Sequence, residues 1–218
     1  MHTETRSTDY PLPRAEIAVL LIAAGRGKRF GSDKRQASMD VGKTLLEQTL
    51  TCYRPFFPQV FVCVSDHPRD DLLATRLRES SARVVRCENA EQGMGSTISD
   101  AIGACKNFAG TLIALGDMPL ISAQVLELLL RYASDRHIVY PSFNGRRGHP
   151  VIFGRAFYSD LERLTGDRGA SHLIATKLAS CREVAVEDSG VVLDVDTPRD
   201  LEGVKKALQA RSSIGVSG

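Results

Sequence analysis

An unbroken apolar run that leads directly into a glycine-rich basic loop is the feature that most constrains this chain. Residues 19–24 are all apolar, as expected for a parallel strand buried on both faces of a sheet. The ten residues that follow contain Gly25, Gly27 and Gly31 among four cations at positions 26, 28, 29 and 34. Glycine lets backbone N–H groups surround anionic oxygens, and the cations neutralise the remaining charge. The stretch therefore indicates a loop that binds a polyphosphate.

The glycine spacing leaves two alternatives open. It misses the G-x-G-x-x-G pattern of dinucleotide-binding loops, and the cations favour a di- or triphosphate over a dinucleotide. Asp66, after the second predicted strand, could nevertheless bind a ribose, which keeps a nicotinamide-dependent oxidoreductase under consideration. The loop could also be a basic surface turn without a ligand.

Length and composition indicate an ordinary globular chain. It has 218 residues, 43% of them hydrophobic, and a net charge of +2, which gives no reason to expect nucleic-acid binding. No stretch approaches transmembrane length, and the five cysteines are scattered singly, without a zinc or disulfide pattern. We expect no membrane partner and a cytoplasmic location. The expected organisation is a flexible segment at residues 1–14, a single domain at 15–210 and a flexible tail at 211–218.

The order of the predicted elements favours an α/β fold with a mostly parallel sheet covered by helices on both sides. The sequence predicts strands at residues 19–24, 60–64, 83–87, 111–115, 138–140, 151–153, 183–186 and 191–195. It predicts helices at residues 44–53, 70–79, 96–105, 122–133, 156–164 and 171–179, and a last helix from position 198 with Thr197 as its cap. In such sheets ligands lie at the carboxyl ends of the strands. The glycine-rich loop and the turn at residues 116–119 should therefore face one ligand.

Two acidic positions are candidates for a metal site. Asp117 follows an apolar strand and could hold Mg²⁺ together with substrate phosphates, although an Asx-turn explains it equally well. Asp194 and Asp196 lie on one side of an extended segment. Asp196 is the second predicted ligand, while for Asp194 a role in the local chain is the simpler interpretation.

Two further loops could bind a second anionic group. Residues 144–151 combine glycines with Arg146, Arg147 and His149, as in a mobile cationic loop or a solvated hairpin turn. Residues 166–171 could seat an anion at a helix start or serve as a plain helix cap.

Taken in order, these motifs resemble one known family. Its motifs are matched by LIAAG at residues 21–25, GM at 93–94, LGDMP at 115–119, GHPV at 148–151 and DVDTP at 194–198. The chain resembles the MobA-like nucleotidyltransferases, and within them the molybdenum cofactor cytidylyltransferases. The resemblance implies a three-layer α/β/α Rossmann-like nucleotidyltransferase fold, Mg²⁺ as cofactor, and transfer of CMP from CTP to molybdopterin with release of pyrophosphate.

The resemblance also implies roles for particular residues. Asp117, Lys34 and Arg26 would be catalytic, and Asp117 and Asp196 would hold the metal. The residues expected to bind the substrates are Ala23, Ala24, Gly25, Arg26, Gly27, Lys28, Lys34, Gly93, Met94, Gly148, His149 and Pro150. Ala24 takes the place of a glycine found in the guanylyl enzymes, and its methyl group would leave less room for a purine.

Three departures from the family pattern concern the acceptor side more than the CTP side. Gly95 replaces a usual Ser, Arg35 a common apolar residue, and Ser171 an Arg whose anion contact would pass to Arg168 or His172. Transient contact with a molybdenum hydroxylase is a further expectation. A sugar-1-phosphate nucleotidyltransferase and a non-catalytic molybdenum-cofactor carrier remain alternatives.

Overall fold

The computed structural model describes residues 11–25, 27–39, 42–80 and 82–214. Its strands are β1 (Ile17–Ile22), β2 (Val60–Ser65), β3 (Arg83–Cys87), β4 (Gly110–Leu115), β5 (Ile138–Phe143), β6 (Arg146–Arg147), β7 (Val151–Gly154) and β8 (Cys181–Ala185). Its α-helices are α1 (Leu45–Tyr53), α2 (Asp71–Glu79), α3 (Met94–Ala101), α4 (Ala123–Leu130), α5 (Tyr158–Leu161), α6 (Ser171–Thr176) and α7 (Pro198–Ile214). Within these ranges no helix is long and apolar enough to cross a membrane.

The strands form one mixed sheet, mostly parallel, in the order β3-β2-β1-β4-β7-β5-β6, with β8 paired to β5. The four strands from β3 to β4 run parallel, β7 runs antiparallel to both of its neighbours, and β8 is parallel to β5. Because β7 is reversed, its first residues lie at the edge where the parallel strands end. The predicted α/β fold with a mostly parallel sheet is therefore confirmed.

Two apolar layers cover the faces of the sheet. Alternate residues of β1 point to opposite sides, so Val19 packs in one cluster with α1, α2 and α4, and Leu20 in another with α3, α5 and α6. Both side chains are fully buried. This double burial explains the continuous apolar run at the start of the chain and makes β1 the centre of the fold.

Capping hydrogen bonds between neighbouring residues stabilise the first turns of two helices, α1 and α7. Thr44 and Glu47 form a reciprocal capping box at the start of α1. At the start of α7 the Asp200 carboxylate accepts from the Thr197 N–H at 2.8 Å, and the Asp200 N–H donates to the Thr197 hydroxyl at 3.3 Å. The predicted cap at Thr197 is confirmed.

Several sequence-based boundaries were wrong. The apolar run predicted as a strand at residues 191–195 is a 3-10 turn (Ser189–Val192) followed by a connecting segment. Helix α3 begins at Met94 rather than near Ser96, and Asp100, inside this helix, accepts from the Asn89 N–H. The last helix extends past the predicted limit of 210 to Ile214. Leu12, expected in the flexible segment 1–14, is buried in the core.

Candidate active site

A cleft of about 550 Å³ opens at the carboxyl ends of β1 and β4. Its lining combines backbone and small side chains from the end of β1, the start of α3 and the end of β4 with charged side chains. These residues are Ile22, Ala23, Ala24, Gly25, Gly27, Arg29, Lys34, Arg35, Arg69, Ala90, Glu91, Gly93, Met94, Thr97, Leu115, Gly116, Asp117, Asp167 and Asp196. The glycine-rich loop and the turn after β4 thus face the same space.

Lys34 joins the two sides of this cleft. Its ammonium donates to Asp117 Oδ2 at 2.7 Å, to the Val195 carbonyl at 2.8 Å and to Asp196 Oδ1 at 3.1 Å. Burial alone would lower the pKa of Lys34, but the charges and hydrogen bonds of Asp117 and Asp196 raise it overall. Lys34 therefore remains a cation at neutral pH and holds the two aspartates together.

The backbone of Gly27 makes room for this lysine. Gly27 has φ 54°, in the left-handed region where a side chain is strained. A Cβ at this position would also lie 3.0 Å from Lys34 Cγ. A glycine is therefore required both for the conformation of the loop and for the course of the Lys34 side chain beside it.

Three carboxylates beside Lys34 could hold one metal ion. One oxygen from each of Asp117, Asp194 and Asp196 lies within 4.8 Å of the others. Asp117 Oδ1 is buried and has no hydrogen-bond partner among the described residues, and an unsatisfied buried oxygen of this kind fits a cation ligand. Partial burial and the negative charge of Asp117 raise the pKa of Asp194. The donor set, all carboxylate oxygens, suits a hard divalent cation.

The acidic group is held in place by backbone contacts. The Val195 N–H donates to the Asp117 carbonyl at 3.0 Å, which ties the segment after residue 192 to the end of β4. Arg29, 77% exposed in its side chain, forms an ion pair with Asp196 Oδ2 at 2.6 Å. Because Arg29 is so exposed, it can leave this pair for an incoming anion at little cost.

Arg35 lies in the wall of the cleft but has no donor left for a ligand. Its guanidinium donates two hydrogen bonds to Asp33, two to Asp70 and one to the Ala23 carbonyl, at distances from 2.7 to 2.8 Å. These five bonds use all five N–H groups of the side chain. Arg35, which stands where the family commonly has an apolar residue, is therefore fully hydrogen-bonded within the protein. The local sequence did not reveal these partners.

Residues 144–151 are not a mobile cationic loop: residues 144–145 form the hairpin turn between β5 and β6, residues 146–147 are β6, and residues 148–150 connect β6 to β7. Asn144 and Gly145 both have positive φ, as in two-residue hairpin turns. Arg147 lies with its guanidinium carbon 5.7 Å from the centre of the Tyr140 ring. The cationic side chains here are exposed on a short strand.

Gly148, His149 and Pro150 are absent from the described lining of the cleft. They lie next to Val191, at the start of the acidic segment, residues 191–196, which carries Asp194 and Asp196. The His149 N–H donates to the Val191 carbonyl and the Gly148 N–H to the Pro141 carbonyl, both at 2.8 Å. His149 Nδ1 is buried without a described partner, and burial lowers the pKa of this imidazole. His149 is therefore neutral at physiological pH and adds no positive charge.

The remaining predicted residues are placed as follows. Ala23, Ala24, Gly25, Gly27, Lys34, Gly93 and Met94 line the cleft, while Arg26 lies outside the described residues and the side chain of Lys28 is not among those described. Asp66, considered for a ribose, instead pairs with Arg86 at 3.0 Å. Sequence reasoning did not place Thr97 in the site and undervalued Asp194, and it considered the loop at residues 166–171, which contributes Asp167 to the lining, only as an anion seat or a helix cap. For Asp194 the two-residue spacing from Asp196 was the available signal.

Comparisons with known proteins agree with this geometry. Residues 19–184 match the family described as MobA-like NTP transferase domain. The purine catabolism protein PucB of Bacillus subtilis is 30% identical over 125 residues, which cover 56% of this chain and 60% of that protein. The match thus spans less than two thirds of the length of that relative. A probable molybdenum cofactor guanylyltransferase of Methanosarcina acetivorans is 21% identical over 91% of this chain and 90% of its own.

A solved structure has the same architecture. Rv0371c from Mycobacterium tuberculosis H37Rv superposes with a TM-score of 0.75 and 27% identity, covering 88% of this chain and 98% of that one. The same protein has been solved as a complex with manganese, at a TM-score of 0.71 and 26% identity over 87% of this chain and 98% of that one. Since the family match extends over well over half of the 218 residues, the chain belongs to the family of MobA-like NTP transferase domains.

Proposed function

We propose that this protein is a divalent-metal-dependent nucleotidyltransferase that transfers CMP from CTP to the phosphate of molybdopterin, with Mg²⁺ as the metal. The observation that carries the proposal is that Lys34, from the glycine-rich loop, lies against Asp117 and Asp196, next to a third carboxylate. A cation and a metal-binding group at the end of a phosphate-binding loop are what a nucleoside triphosphate requires.

The reaction needs no protein nucleophile. An oxygen of the acceptor phosphate forms a bond to the α-phosphorus of CTP, and the bond from that phosphorus to the bridging oxygen breaks. The bridging oxygen keeps the electron pair and leaves as part of pyrophosphate. Catalysis of this kind depends on positioning and on neutralising charge.

Asp117 and Asp196 would hold the metal, with Asp194 close enough to join them. A divalent cation there would neutralise negative charge that develops on the phosphates. Lys34 remains protonated, and its three N–H groups bond to Asp117, Asp196 and the Val195 carbonyl, so in the proposal it exchanges one of these bonds for a phosphate oxygen. The exposed Arg29 can turn from Asp196 to the same anion. Arg26 and Lys28, in the same loop, are proposed to bind the triphosphate as well.

Two features support the choice of substrates. Ala24 lines the cleft and carries a methyl group where guanylyl enzymes have glycine, which favours a pyrimidine. The resemblance to a molybdenum cofactor guanylyltransferase over nine tenths of the chain supports a pterin acceptor. Because His149 is neutral, the exposed Arg147 is the cation that we propose for the acceptor phosphate. Transient delivery of the product to a molybdenum hydroxylase in the cytoplasm remains part of the proposal.

The test is a matched pair of variants. Asp117→Asn removes one negative charge from the metal group, whereas Asp66→Asn removes one from a carboxylate after β2 that does not line the described cleft. We expect Asp117→Asn to reduce turnover by about 10²–10³-fold and to weaken Mn²⁺ binding measured by electron paramagnetic resonance. Asp66→Asn should change neither. Full activity of Asp117→Asn would refute the metal assignment.

A further inference from the structure

Arg35 connects three segments that meet at the base of the cleft. Asp33 lies in the loop after Gly27, Asp70 follows β2, and the Ala23 carbonyl follows β1. The Arg35 guanidinium bonds to all three. Arg35 is 8% exposed and Asp70 1% exposed, so the contact between these two residues is shielded from water. A planar donor with five fixed N–H groups is suited to such a junction, and a lysine could not satisfy it.

The contact with Ala23 fixes one peptide group of the cleft wall. The Ala23 N–H donates to the Cys63 carbonyl at 2.9 Å, and its carbonyl accepts from Arg35 at 2.8 Å. Because a trans peptide is planar, the N–H of Ala24 points away from the Ala23 carbonyl. No backbone hydrogen bond from that N–H to another described residue is present, and Ala24 lines the cleft. It is a donor available to a ligand.

We propose that Arg35 is a positioning residue that fixes the Ala23–Ala24 peptide and thereby sets which nucleobase the cleft accepts. The inference rests on the proposed function in taking the ligand to be a nucleoside triphosphate. Arg35 itself touches no phosphate, because its donors are all engaged. It acts by holding the Ala24 N–H as a fixed donor for an acceptor atom on the edge of the base and by keeping the Ala24 methyl group in place.

The alternative is that Arg35 only stabilises the fold by neutralising Asp70. Two variants separate these roles. Arg35→Met removes the donors and leaves Asp70 buried without its partner, which should lower stability. In Arg35→Met/Asp70→Asn that charge is gone, and the amide oxygen can still accept from the Ser65 N–H, which donates to Asp70 at 3.1 Å. The double variant should therefore regain stability without restoring the donor to Ala23.

Arg86 provides the matched control. It also joins two carboxylates, Asp66 at 3.0 Å and Asp71 at 2.7 Å, but it is not among the described residues that line the cleft. Arg86→Met should alter neither the Ala23–Ala24 peptide nor nucleotide selectivity.

Two measurements on the full chain test the inference. The first is amide hydrogen exchange of the Ala23 N–H by NMR without nucleotide. This N–H belongs to the adjacent Ile22–Ala23 peptide, and its bond to the Cys63 carbonyl must open when residue 23 moves, so exchange should be at least about tenfold faster in both Arg35 variants and unchanged in Arg86→Met. The second is calorimetric titration with CTP and GTP in the presence of Mg²⁺. The ratio of CTP affinity to GTP affinity should fall about tenfold in both Arg35 variants, the scale of one lost polar contact.

The outcomes are distinct. If the double variant regains stability together with wild-type exchange and wild-type selectivity, Arg35 is purely structural and the inference is overturned. Faster exchange with unchanged selectivity also overturns it, because the peptide would then be mobile without consequence for the base. A wild-type protein with no affinity for any nucleotide would instead refute the proposed function, and the exchange measurement would still decide whether Arg35 holds the peptide.

Discussion

Replacing Gly148 with alanine should disturb the acidic segment from a position outside the described cleft. A Cβ at Gly148 would lie 2.9 Å from both the carbonyl carbon and the Cβ of Val191, and closer still to the Val191 carbonyl oxygen. Carbon atoms pack favourably only from about 3.5 Å, so the two backbones must separate by several tenths of an ångström. That separation stretches the 2.8 Å hydrogen bond from the His149 N–H to the Val191 carbonyl.

The cost follows from these two effects. Overpacking typically costs about 1–3 kcal/mol and a lost hydrogen bond about 1 kcal/mol, so we expect the free energy of unfolding to fall by about 2–4 kcal/mol. Urea denaturation followed by circular dichroism measures this change. Because Val191 leads into the segment with Asp194 and Asp196, Mn²⁺ binding at low denaturant should weaken as well.

Gly203→Ala is the matched control for Gly148→Ala. A Cβ at Gly203 meets nothing within 4 Å, and the residue lies inside α7. Alanine there should stabilise the protein by about 0.5–1 kcal/mol through helix propensity, with no effect on Mn²⁺ binding. If Gly148→Ala unfolded at the same urea concentration as the wild type, the close packing of Gly148 on Val191 would be refuted.

Three further predictions concern individual side chains. Burial would raise the pKa of Asp33, but hydrogen bonds from Arg35 and Gln36 lower it overall. The stability that Asp33 contributes to the folded protein is therefore complete above its unfolded pKa of 3.8 and is lost at lower pH. The stability difference between wild type and Asp33→Asn should shrink below about pH 4, and a constant difference would contradict this pairing. Burial lowers the pKa of His149, so the unfolded chain binds more protons below about pH 6.5 and the folded state loses stability there. The stability advantage of wild type over His149→Gln should therefore be smaller at about pH 5 than at about pH 7.5, and an advantage that grew in acid would show that the folded protein favours the imidazolium. Tyr158→Phe removes a hydroxyl 2.6 Å from the buried Thr111 hydroxyl and should cost about 1–2 kcal/mol in urea denaturation without changing nucleotide binding; an unchanged midpoint would contradict that bond.

The sequence predicted the sheet because its signals are local. A buried parallel strand must be apolar on both faces, and β1, β2 and β4 are. The segment at residues 191–195 is apolar at four of its five positions but is not a strand, since its backbone groups bond to loops. The Val191 carbonyl accepts from His149 and the Val195 N–H donates to Asp117. An apolar sequence alone does not distinguish such a segment from a strand.

The candidate site was predictable where it depends on the ends of strands. Asp117 follows β4 directly, and parallel strands bring such residues to one edge. The partner set of Arg35 was not predictable, because Asp70 is 35 residues away and nothing local marks the pair. For the same reason the sequence did not reveal that His149 lies behind Val191 with a buried Nδ1.

The measurement that tests the central claim most directly is pyrophosphate release from CTP, GTP, ATP and UTP, each combined with molybdopterin or with sugar 1-phosphates, in the presence and absence of Mg²⁺. We predict rapid, Mg²⁺-dependent release only with CTP and molybdopterin. Preference for GTP would contradict the role of Ala24, and release with a sugar phosphate instead of molybdopterin would contradict the proposed acceptor. No release with any pair would contradict the assignment of this protein as a nucleotidyltransferase for these acceptors.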